Sequence, residues 1–258
     1  MIPNETRCIY GRNQLGEVIC QLRFPEILSI ETTTPADFQE AIRDIFPRYH
    51  VTVETSAPQI VGNPGSMQVT QPKQNNNYQF STDDGVWRVN MTSKFIALAT
   101  SRYSCWEEFA SMLDKPLAAF IQIYKPACFD RVGLRYLNFF SRSKLDLEDV
   151  PFRDLIQPAY LGILGSELPE AAVNRSSVDS EFSVANGCKC KLHAGPGKVT
   201  IGGKTDNEVK FIFDMDLFMS NKVPVNYSAG ALQTLHAQAY GIFRGAITQQ
   251  LHEAMEPK

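Results

Sequence analysis

Arg131 and Arg135, four residues apart in the run Phe129-Asp-Arg-Val-Gly-Leu-Arg-Tyr-Leu-Asn138, are the side chains best spaced in this chain to grip an anion. Period-two alternation along a strand puts both on one face. Gly133 between them leaves room for a phosphate, a carboxylate or another backbone. Gln21, Arg23 and Asn138 are read as part of the same ligand surface. The plainer alternative is that acids on neighbouring strands, Asp179 and Glu181 among them, neutralise the arginines in cross-strand ion pairs. Those acids suggest a second chemistry. Together with Asp214 and Asp216 they make a carboxylate set for Mg²⁺, as a metal-assisted enzyme of nucleic acids or nucleotides would need.

Other motifs lose their chemistry on inspection. Cys188-Lys-Cys190-Lys-Leu-His193 offers thiolates and an imidazole, but in a strand both cysteines share one face and His193 points to the other. In Gly197-Lys-Val-Thr-Ile-Gly-Gly-Lys204-Thr205 the first glycine is one residue too far from the Gly-Lys-Thr end for a phosphate loop. A strand, Val-Lys-Phe-Ile-Phe-Asp-Met-Asp, follows where a helix is required. His50, His193, His236 and His252 are scattered, and no Ser/His/Asp set or H-E-x-x-H occurs. The residues therefore favour a non-catalytic binding or regulatory protein without a cofactor, recognising a protein or a small anionic ligand. A third reading places a small molecule between a sheet and a long helix, in an apolar cavity under Trp106 or Phe243.

The elements that must position these residues come twice. Val18 to Phe24, then Phe38 and Ile42, is answered 114 positions later by Val132 to Asn138, then Phe152 and Ile156. The first copy predicts a strand from Glu17 to Phe24 and a helix opening near Pro35. Strands follow at Tyr49–Glu54, Met67–Thr70, Tyr78–Ser81, Val86–Thr92 and Phe95–Ser101, with turns at Asn63-Pro64-Gly65 and Asn75–Asn77. A helix capped by Ser104 carries the stripe Trp106, Phe109, Leu113, Leu117 and Phe120, with a kink expected at Pro116. The second copy predicts strands at Phe129–Phe140, Arg175–Val184, Cys188–His193, Lys198–Ile201 and Val209–Phe218, and a long helix from Ser228.

The fold class is thus α+β: two tandem strand-helix-four-strand-helix repeats, residues 1–127 and 128–258, forming one curved antiparallel sheet with helices on one face. The order resembles the repeat of the TATA-binding-protein-like fold. Two separate α+β domains meeting near Pro126 are the competing layout.

At 258 residues and 43% hydrophobic content the chain can bury a large core. Its net charge of -3 gives no general attraction to polyanions, so nucleic acid could bind only through a local patch. No run of about 18 apolar residues is present and Met1–Tyr10 does not read as an export leader, so no membrane and a cytoplasmic setting with six reduced cysteines are expected.

Glu17–Phe24, Tyr78-Gln-Phe-Ser-Thr-Asp, Trp87, Phe95-Ile-Ala-Leu-Ala-Thr, Tyr103, Trp106, Phe109 and above all Phe129–Asn138 resemble a sporadically distributed bacterial family of uncharacterised proteins. The resemblance spans most of the chain and brings no catalytic role with it. Patchy distribution implies a defence or toxin-antitoxin setting.

Overall fold

Alternating apolar residues build the frame. In the first strand, β1 (Leu15–Arg23), Val18, Cys20 and Leu22 are fully buried, whereas Glu17, Gln21 and Arg23 line the opposite face. The structure is a computed structural model that describes residues 7–55, 60–61, 68–69, 74–201 and 203–258. The edge strands β2 (Arg48–Thr55) and β7 (Val178–Ser183) bury none of their described side chains, and β3 (Gln74–Ser81) buries Asn77, Tyr78 and Phe80; the alternation recurs in β4 (Trp87–Met91), β5 (Phe95–Thr100), β6 (Phe129–Phe140), β8 (Lys189–Gly197) and β9 (Lys210–Val223). These pair antiparallel in one nine-stranded sheet of order β2-β3-β4-β5-β1-β6-β9-β8-β7. The seam at the middle joins β1 to β6, with Cys20 opposite Leu134 and Arg23 opposite Arg131.

Two short helices, α1 (Leu28–Thr32) and α2 (Ala36–Ile42), follow β1. The longer α3 (Trp106–Tyr124) follows β5 and α5 (Ser228–Ala246) follows β9, while α4 (Phe152–Leu155) and α6 (Gln249–Ala254) are brief. Both long helices cover the apolar side of the sheet. Phe120 of α3 packs on Phe24, Phe109 on Trp87, and Phe243 of α5 on Phe140. One core cluster runs through both halves. No helix among the described residues is long and apolar enough to cross a membrane.

Three expectations change. Asn75–Asn77 are not a turn but the start of β3, opposite Thr52–Glu54; β4 ends at Met91, opposite Tyr78, and the Glu31 carboxylate accepts the Asn76 N–H at 2.9 Å beyond that point. Helix α3 starts after Cys105, without a Ser104 cap, and runs through Pro116. The second half contributes β6 and then three strands to the main sheet rather than four, because Thr200–Ile201 pairs only with Lys204–Thr205 in a separate two-residue ladder. Gln68–Val69 pairs with Ile60–Val61; Met67, Thr70 and the turn at Asn63-Pro64-Gly65 lie outside the described residues.

Candidate functional site

The helix-free face carries the two arginines, and each is already engaged. Arg131 meets Asp216 at 2.6 Å, its guanidinium lies 4.6 Å over the Phe218 ring, and it occupies the space above Gly133. The room that the glycine leaves is filled by Arg131 itself. Arg135 makes a two-point contact with Asp214, Nε to Oδ1 at 2.7 Å and Nη2 to Oδ2 at 2.5 Å. Arg23 bonds Gln21 at 2.9 Å, and Arg88 pairs with Glu17. The expected neutralisation of the arginines occurs, but through Asp214 and Asp216 of neighbouring β9 rather than through Asp179 and Glu181.

Asn138 does not belong to that surface. It stands three residues from Arg135, and alternation turns it to the helix side, where it is 2% exposed and donates its amide to the Phe213 carbonyl. The carboxylate set for Mg²⁺ is also not assembled. Asp179 holds His193 at 2.7 Å and Glu181 holds Lys191, both on β8, which lies between them and the Asp214 and Asp216 of β9. Among the described residues no three His, Cys, Asp or Glu side chains come together to hold a metal ion. Cys188 and Cys190 are fully buried while His193 stands on the far face.

An opening lies on the other side of the sheet. A cleft of about 90 Å³ is bounded below by Tyr136 and Asn138 of β6 and Met215 of β9, and above by Trp106 of α3 and His236, Ala239, Tyr240 and Phe243 of α5. Arg7–Leu15 close one side, except for Gly11 and Arg12, which do not line it. That stretch is held against the other end of the chain, with Ile9 and Lys258 bonded in both directions and the Gly11 and Arg12 N–H groups donating to Glu256 and Met255. Both Trp106 and Phe243, the residues under which the third expectation places an apolar cavity, line the cleft.

A directed chain of hydrogen bonds runs along the lining. Arg7 Nη1 lies 2.9 Å from His236 Nε2, and a guanidinium can only donate, so Nε2 accepts and Nδ1 carries the imidazole proton. Nδ1 then donates to the Tyr136 hydroxyl at 2.8 Å, and Tyr136 bonds Tyr103. Burial, reinforced by the Arg7 charge, pushes His236 down to about 4, so the ring is neutral at pH 7. It stacks on Trp106 with centroids 4.6 Å apart. Burial raises the hydroxyls of Tyr10, Tyr103 and Tyr136, which stay protonated donors. Arg7 is the one charged side chain among the described lining residues, and its Nη2 grips both oxygens of Glu107 at 2.7 and 2.9 Å. Neither a protein-family model nor a curated protein matches the chain.

Arg7, Tyr136 and His236 are far apart in sequence, and no local pattern groups them. One signal was available: His236 is four residues after Leu232 and three before Ala239, so it lies inside the buried stripe of α5 rather than on its polar edge. A polar ring in that place needs partners.

Proposed function

We propose that this protein is a non-catalytic binding or regulatory protein whose recognition site is the cleft between sheet and long helices, taking a small, largely apolar ligand with an anionic end. The observation that carries this reading is the cleft: its described lining residues are largely apolar and aromatic with one charge, Arg7, backed by an ordered polar chain. Both His236 nitrogens are engaged and the phenols are held protonated, which favours recognition over acid-base chemistry. On the helix-free face Arg88, Arg131, Arg135 and Lys191 are each matched by an acid, which weighs against an anion site at Arg131 and Arg135.

The same reading treats the halves as copies of one ancestral unit. An offset of 114 makes Cys20 equivalent to Leu134, and these two face one another; Val18 faces Tyr136 as Val132 faces Leu22, so the pairing is unchanged when the halves are exchanged. In both halves the strand preceding the long helix lies next to the seam, and each long helix has 19 residues. A bacterial, cytoplasmic setting in a defence or toxin-antitoxin system is supported by the family resemblance alone.

The test uses Trp106, which becomes the lone tryptophan in a Trp87→Phe variant. Titration with a panel of small organic acids should change its fluorescence saturably, and Ala239→Leu, which fills the cleft, should abolish the change. No saturable change across the panel, or a change that survives Ala239→Leu in a folded protein, overturns the reading.

A further inference from the structure

We infer that the ligand is a single-ring aromatic carboxylate, and that Glu107 occupies the place of its carboxylate until it binds; this rests on the cleft being the recognition site. The ring follows from size and lining. An apolar cavity of roughly 150 Å³ holds benzene, so about 90 Å³ opening to solvent takes one ring inserted part-way, with its substituent left at the mouth. Tyr10, Tyr103, Trp106, Tyr240 and Phe243 present edges and faces on which such a ring packs.

The carboxylate follows from what stands at the mouth. Arg7 uses Nη1 to orient His236 and turns Nη2 to the mouth, where that one amino group is shared by both Glu107 oxygens. The two partners differ in how firmly they are placed. The Glu107 side chain is 64% exposed, against 34% for Arg7, and it sits in the first turn of α3, where its own N–H and the Arg7 guanidinium hold its carboxyl below the usual range. An exposed ion pair is worth little and is readily exchanged. A carboxylate whose ring lies in the cleft meets the same guanidinium and the same end of α3, with the added burial that Glu107 lacks. Arg7 keeps its bond to His236 throughout, so the exchange leaves the polar chain in place.

The probes are benzoate and its neutral counterpart benzamide, titrated by calorimetry into the wild-type protein, Glu107→Gln and Arg7→Lys. Benzoate should bind more tightly than benzamide. Glu107→Gln removes the competitor from an exposed position and should tighten benzoate about two- to five-fold, the range an exposed ion pair spans, while leaving benzamide unchanged. Arg7→Lys keeps the charge but cannot hold His236 and a carboxylate at once, and should reduce the preference for benzoate. Equal affinities for the two probes in all three proteins overturn the inference and leave the cleft reading standing. No binding of benzoate to the wild type also overturns it, whatever the wider panel gives, and benzoate binding that persists in folded Ala239→Leu overturns the cleft reading instead.

Discussion

Arg7 donates to His236 across 2.9 Å, so a permanent cation fixes the proton of a buried, neutral imidazole. The pair joins a stretch ahead of the first strand to the last long helix, and it sets which atoms in the cleft can give or take a hydrogen bond. Protonating His236 would place two cations in contact with burial opposing both; Glu107, the nearest acid, offsets this only in part.

The first prediction is a pH dependence. The histidine titrates near 6.5 when unfolded and at about 4 when folded, so between these values the unfolded chain binds more protons. Its contribution to stability is complete above the higher value and is lost as pH falls from there through the lower one, by on the order of 3 kcal/mol at most. Urea denaturation of the wild type should show this slope, and His236→Gln should lack it. Equal slopes for the two proteins would count against a neutral His236.

A second prediction concerns Gly133. A Cβ there would lie 2.1 Å from Arg131 Nη1, so Gly133→Ala forces the guanidinium off Phe218 and Asp216. The expected cost is about 1 kcal/mol, the worth of a partly covered ion pair with a cation–π contact. In an Arg131→Ala background the cost should vanish or turn into a gain, since alanine is easier to order than glycine. Additive losses in the double mutant would show that Arg131 is not what the glycine accommodates.

The third prediction uses the thiols. Cys20, Cys188 and Cys190 are fully buried, and burial pushes Cys190 up to about 12, whereas Cys8, Cys105 and Cys128 are half-buried. A disulfide reagent should label Cys20, Cys188 and Cys190 only on unfolding and the other three in the native state. Because Cys8 and Cys105 line the cleft and Cys128 does not, a bound ligand should slow the first two and leave Cys128 alone. Mass spectrometry of labelled peptides distinguishes the cases, and equal rates at all three with saturating ligand would argue against occupancy of the cleft.

Much of the frame was legible because one face of the strands inside the sheet is buried, and a period of two is hard to mistake when Val18, Cys20 and Leu22 alternate with Gln21 and Arg23. The same rule, applied to Asn138, would have moved it off the arginine surface. What the sequence could not supply was register. Arg135 meets Asp214, and Arg131 meets Asp216, because β6 lies beside β9 with Phe211 opposite Phe140, a long-range pairing that no local pattern encodes. The cleft was half legible. Trp106 and Phe243 marked its roof, but Arg7 reaches it from a stretch with no periodicity, held there by the far end of the chain.

That fastening has a consequence of its own. The amides of Gly11, Arg12 and Lys258 are secured by one reciprocal ladder between residues 9–12 and 255–258, and Arg7 hangs just beyond it. These amides should therefore surrender their protons to solvent as a single cooperative unit. A ligand that steadied the guanidinium, as proposed for the cleft, should slow that whole unit.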